Sequence, residues 1–146
     1  MSTSHTVTHR SSTGDAAASG LVYGLAAGLA MVALLAVLGL LQGQTLAATA
    51  GFFSPSGQSQ PLTGLLGHLA VSAVYGAVFG IVWRLVGGRL RLPAWLAGLV
   101  YGVLLWGVAQ LLARTVAPAL AQIAPWALLA GHLVYGLALG VLFRKR

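Results

Sequence analysis

The chain has 146 residues, of which 58% are hydrophobic and 6% charged, and it contains no cysteine. Soluble domains carry about a quarter charged residues, so the solvent of this chain is lipid, and disulfides, thiolate metal sites and cysteine nucleophiles are excluded. The net charge of +7 does not point to nucleic acid, because the basic residues sit at the ends of apolar runs rather than among stacking and polar residues on a wet face.

Residues 1–15 are rich in Ser and Thr, hold His5, His9, Arg10 and the one acidic residue, Asp15, and show no apolar periodicity. They are expected to form a disordered cytoplasmic tail. Residues 16–42 carry no charge and exceed the roughly 20 needed to cross a hydrocarbon core. Ala48-Thr49-Ala50 looks like a signal-peptide cleavage site, but this apolar stretch is longer than the usual h-region of about 7–15 residues, so it is expected to remain as the first span. Residues 43–61 collect Gly, Ser, Gln and Pro55 and read as a loop, with Phe52 and Phe53 dipping into the interface. The second span, 62–86, closes on Trp83 and Arg84. A basic turn with Arg89 and Arg91 follows, and Pro93 suits the first turn of the third span, 93–114. Pro118 and Pro125 break the next stretch, which places the fourth span at 125–143.

With four spans, Arg10, Arg84, Arg89, Arg91, Arg144, Lys145 and Arg146 share one side and Arg114 alone lies on the other. The positive-inside rule makes the shared side cytoplasmic and both termini cytosolic in a bacterial inner membrane. Residues 16–146 therefore read as an all-α four-helix transmembrane bundle, N-in and C-in.

All four tyrosines lie in Val-Tyr-Gly triplets, at 22–24, 74–76, 100–102 and 134–136, one per span. Spans one and three share Gly-Leu-Val-Tyr-Gly (20–24 and 98–102), and spans two and four share Gly-His-Leu (67–69 and 131–133). This pattern predicts a tandem duplicated hairpin with a pseudo-twofold axis along the membrane normal. At about 1.5 Å rise per residue the tyrosines form one layer near mid-depth, roughly 12 to 15 Å from the cytoplasmic boundary. Gly20, Gly24 and Gly28, then Gly76 and Gly80, Gly98 and Gly102, and Gly136 and Gly140 recur at intervals of four. That spacing aligns missing side chains on one face for close helix packing, within the bundle or between copies of it.

Two histidines fall inside spans, His132 at roughly 18 Å and His68 at roughly 24 Å from the cytoplasmic boundary. His68, Ser72 and Tyr75 project within a narrow arc of one helix, and His132 and Tyr135 are neighbours on another. With Tyr101, Gln110 and Arg114 they outline a graded polar track toward the outer face. An ionisable group within the bilayer is a functional hypothesis by default. One reading makes His68 and His132, with Tyr75 and Tyr135 beside them, ligands for haem b or a quinone; a second makes the track a proton or solute path; a third confines the imidazoles to hydrogen bonds that fix helix register. Trp83, Trp95 and Trp126 fit an interfacial belt, and Trp106 fits core packing. No intramembrane carboxylate, phosphate loop or metal-protease motif is present, so catalysis and a resident metal site are not expected.

The last helix, His132-Leu-Val-Tyr-Gly-Leu-Ala-Leu-Gly140, with a histidine near the start of the second span and a proline opening the third, resembles an uncharacterised family of small four-span prokaryotic membrane proteins. The likeness covers about 62–143 and implies the topology but no activity. Function is then expected by elimination: a non-catalytic accessory or scaffolding subunit of an inner-membrane complex, whose partners are the lipid bilayer and other membrane subunits or further copies of itself, without nucleic acid.

Overall fold

The computed structural model describes residues 12–54 and 60–144; the tail segment 1–11, loop residues 55–59 with Pro55, and Lys145-Arg146 lie outside the described residues. Five α-helices follow one another: α1 (Thr13–Leu41), α2 (Leu46–Gly51), α3 (Pro61–Val86), α4 (Ala94–Thr115) and α5 (Pro125–Arg144), with a 3-10 turn at Pro118–Gln122. Four of these, α1, α3, α4 and α5, are long and apolar enough to cross a membrane.

Local chemistry explains the boundaries. Helix α1 begins at Thr13 rather than at 16, so the expected tail is shorter by its last residues. The cause is a capping box. Asp15 Oδ2 accepts the Ser12 N–H at 2.7 Å while Ser12 Oγ accepts the Asp15 N–H at 3.1 Å, which satisfies two orphan donors and sets the one acidic side chain at the positive end of the helix dipole. The far end of α1 closes on Gly43, whose φ of 77° lets Gly43 N–H reach Leu40 O and Gln44 N–H reach Gly39 O, a Schellman closure. Pro61 and Pro125 open α3 and α5, positions where a missing N–H costs nothing. Pro93 is the N-cap residue of α4, one position before the helix.

The segment expected to be plain loop contains α2, capped by Thr45 Oγ1 accepting the Ala48 N–H at 3.1 Å. It lies so close to α3 that a Cβ on Gly64 would strike the Ala50 carbonyl.

The bundle is turned inside out relative to a soluble one. Leu62, Leu104 and Leu111 are 69%, 63% and 63% exposed, while the glycines spaced at four, such as Gly24, Gly76, Gly102 and Gly136, are buried, as expected where the outer solvent is as apolar as leucine. Helices α1 and α3 pack along their lengths, as do α4 and α5. In the first pair a Cβ on Gly20 would strike the Gly76 carbonyl, one on Gly24 the Ser72 carbonyl, and one on Gly80 the Ala16 carbonyl. In the second, Gly98 stands in the same relation to Gly136, Gly102 to His132, and Gly140 to Ala94. Gly28 abuts Ser72 itself, where an added Cβ would lie 2.6 Å from Oγ. Within each hairpin these pairings run antiparallel.

The hairpins join through α1 and α5. Met31 and Leu35 cover Gly131, and Tyr23 meets the Phe143 ring edge-on at 5.1 Å. Phe79 sits 5.5 Å from Phe143 and 5.2 Å from Tyr101, forming an aromatic cluster at the end where α1 starts and α5 stops. The start of α1, the α3–α4 turn and the end of α5 thus share one end of the bundle. Helices α3 and α4 do not pack closely along their lengths.

Candidate functional site

The opening left between α3 and α4 widens, beyond the tyrosine layer and toward α2, into a cavity of about 330 Å³. Helix α3 contributes His68, Ser72 and Tyr75; α5 contributes His132 and Tyr135; α4 contributes an apolar wall that includes Leu105, Val108, Ala109 and Leu112. Met31 of α1, Phe53 from the segment after α2, and Val116, Ala117 and Leu120 around the 3-10 turn close the remaining sides. Among the described residues, no Asp, Glu, Lys or Arg lines it.

Four of the polar side chains have defined partners. His132 is 9% exposed, and its Nδ1 lies 2.8 Å from the carbonyl of Leu128, one turn back in the same helix. A carbonyl only accepts, so Nδ1 carries the proton and, in the neutral ring, Nε2 is left as an acceptor. His68 Nε2 lies 3.3 Å from Gly28 O and 3.4 Å from Ser72 Oγ, so here Nε2 carries the proton and Nδ1 is the acceptor. Phe53 covers the His68 ring, with centroids 4.4 Å apart and planes inclined by 37°. This corrects the expectation for Phe53, which packs into the protein rather than into the interface.

Two tyrosines tie the hairpins together. Tyr135 Oη donates to Ser72 O at 2.7 Å and Tyr101 Oη donates to Tyr75 O at 2.9 Å. Both carbonyls belong to helix α3 and offer a second lone pair beyond their intrahelical bond. Side chains on a helix lean toward its N-terminus, so residues of one layer part company: Tyr23 on α1 leans into the aromatic cluster, whereas Tyr135 on α5 leans toward the cavity.

The residues expected to act together divide. His68, His132, Ser72, Tyr75 and Tyr135 meet in one cavity, with Tyr101 hydrogen-bonded at its edge. Gln110 and Arg114 do not line it. They lie off the α4 face formed by Leu105, Val108, Ala109 and Leu112, so the polar track toward the outer side ends at the histidines and continues as an apolar wall. The two Gly-His-Leu triplets are also out of step. Glycine contacts set His132 opposite Gly102 and Ser72 opposite Gly24, while His68 reaches Gly28, one turn farther out. Trp106 donates Nε1–H to Pro125 O at 3.2 Å, which anchors the start of α5. Phe53, Met31 and the α4 wall escaped the sequence reading because an apolar residue in an apolar chain carries no signal of what it faces. No group of three or more potential metal ligands occurs among the described residues.

Comparison with protein-family models, curated proteins and solved structures finds no match to the chain.

Proposed function

We propose that the protein is a non-catalytic, multi-pass component of the bacterial inner membrane, with both termini in the cytosol, that holds a small lipid-soluble molecule between its two hairpins as an accessory subunit of a larger assembly. The matching glycine contacts of α1–α3 and α4–α5 support an origin by tandem duplication, in which the small-residue faces build each hairpin and the seam between the copies supplies the site. The resemblance of the last helix to small four-span prokaryotic proteins agrees with this topology.

One observation carries the binding reading: two imidazoles on different helices, each fixed by a backbone carbonyl, border one cavity of about 330 Å³ that is closed on the α4 side by an apolar wall. Ligand sites are typically concave, mostly apolar and furnished with a few convergent polar groups. The apolar outer wall offers ions no hydrogen-bonding path, which favours binding over conduction. The test is extraction of protein purified in mild detergent, followed by mass spectrometry. A small molecule at near one-to-one ratio is expected in the wild type and absent from Val108→Trp, which fills the cavity from a half-exposed position; equal lipid background in both overturns the reading. The same preparation tests the accessory role, since migration solely as a solitary monomer argues against it.

Haem b is the second reading. Its support is the Leu128 carbonyl on His132 Nδ1, the kind of outer hydrogen bond that orients a metal-ligating imidazole. A Soret band that disappears in His132→Phe is the expected signature, and its absence after haem reconstitution removes this alternative.

A further inference from the structure

The chemical class of the ligand follows from which hydrogen-bonding groups the cavity leaves unused, an inference that rests on the binding reading above. Four of the donors are taken up by the protein itself. The His132 Nδ1–H goes to Leu128 O, the His68 Nε2–H to Gly28 O, and the Tyr101 and Tyr135 hydroxyl protons to Tyr75 O and Ser72 O. No buried side-chain nitrogen or oxygen among the described residues lacks a partner. The second ring nitrogens, His68 Nδ1 and His132 Nε2, have no hydrogen-bond partner among the described residues and are therefore not enclosed by protein, and both rings line the cavity. Each is an obligate acceptor in the neutral ring. Ser72, whose Oγ lies 3.4 Å from His68 Nε2, and Tyr75 add hydroxyls that either donate or accept.

We infer that the cavity is built for a neutral lipid-soluble molecule whose head carries two hydroxyl donors, and that a quinol with an apolar tail is the class that fits. The absence of Asp, Glu, Lys and Arg from the lining among the described residues argues against an ionic headgroup, which would be desolvated without compensation. Two acceptors presented on α3 and α5 select for donors, because a ligand lacking them leaves buried nitrogens unpaired. The oxidised quinone offers carbonyl acceptors, which the two imidazole nitrogens cannot pair and which find donors only in the Ser72 and Tyr75 hydroxyls. The Phe53 ring tilted over His68 provides a flat aromatic wall for a ring-shaped head, and the α4 wall receives the tail. A monoacylglycerol carries the same pair of hydroxyls on a lipid-derived head without the ring.

Calorimetric titration of detergent-solubilised protein under anaerobic conditions separates these cases with four probes: a decyl hydroquinone, its dimethyl ether, the corresponding decyl quinone and monoolein. The hydroquinone is expected to bind at least tenfold tighter than the ether and the quinone. That advantage is expected to shrink toward parity in His132→Phe and in His68→Phe, with ether affinity little changed. Equal affinity for hydroquinone and ether in the wild type overturns the donor rule while leaving the cavity as a binding site. Tighter binding of monoolein than of hydroquinone overturns the quinol assignment. If no probe binds, and none responds to Val108→Trp, the binding reading itself falls.

Discussion

Tyr135 and Gly98 show how differently two buried positions respond to the loss or gain of a few atoms. Tyr135→Phe deletes a hydroxyl that donates to Ser72 O at 2.7 Å, yet that carbonyl keeps its intrahelical bond and the ring keeps its packing. Cross-helix hydrogen bonds in membrane proteins average about 0.6 kcal/mol, so the expected loss of unfolding free energy in mixed micelles is of that size. A loss above about 2 kcal/mol would show that the bond carries more than one hairpin-to-hairpin contact ordinarily does. Gly98→Val acts in the opposite sense. The added Cβ is directed at the Gly136 backbone, which has no side chain to swing aside, so the α4–α5 pair must separate. Overpacking costs typically 1 to 3 kcal/mol, occasionally more, and a shift at or above the upper end is expected here in the same assay. Stability unchanged by Gly98→Val would mean that the two helices do not meet at this point. Glycines and tyrosines were legible in the sequence because each is rare enough in its triplet to form a pattern. Their partners were not, because the acceptors are main-chain carbonyls, which every residue possesses.

At the level of elements, legibility followed length. The four long helices stand out from composition alone, since some twenty apolar residues in succession must satisfy their own backbone hydrogen bonds in lipid. Helix α2 has six residues, too few for any periodicity, and its stability comes from the Thr45 cap and from contact with Gly64 of α3. The start of α1 was signalled by Ser12-Thr-Gly-Asp15, a capping-box spacing concealed at the edge of a polar tail. The His68–Phe53 stack was invisible for a related reason: it depends on α2 turning the chain back over α3. Gly43 is the hinge of that turn. Its φ of 77° costs an L-residue about 1 to 2 kcal/mol, and Gly43→Val, β-branched as well, is expected to lower stability by at least that amount. Because the turn also sets the path toward Phe53, the substitution is expected to weaken ligand retention in the extraction experiment, whereas Gly43→Asn, which tolerates the left-handed region, is expected to restore much of it. Identical behaviour of the two variants would detach the turn from the site.

Across the whole molecule the alternating direction of α1, α3, α4 and α5 brings the start of α1, the turn between α3 and α4 and the end of α5 to one end of the bundle, with Arg84, Arg89, Arg91 and Arg144 near it, while Arg114 lies in the last turn of α4 at the other end. Lipid does not distinguish the two ends of such a bundle; the insertion machinery does, through the arginines. The charge asymmetry therefore decides which way the cavity points. With both termini in the cytosol, as proposed, His68 lies on the outer side of the tyrosine layer, and a ligand would enter from the outer leaflet through the gap between α3 and α4. Fluorescent-protein and alkaline-phosphatase fusions at the C-terminus are expected to report the cytosol, with fluorescence retained and phosphatase silent, and fusions after Thr115 are expected to report the opposite. Moving the charges tests the cause as well as the result. Replacing Arg84, Arg89 and Arg91 by Ser while adding three Lys beside Arg114 removes the bias of the central turn, and the C-terminal phosphatase is then expected to gain activity. Phosphatase activity at the wild-type C-terminus would invert the assignment and place the cavity mouth in the cytoplasmic leaflet.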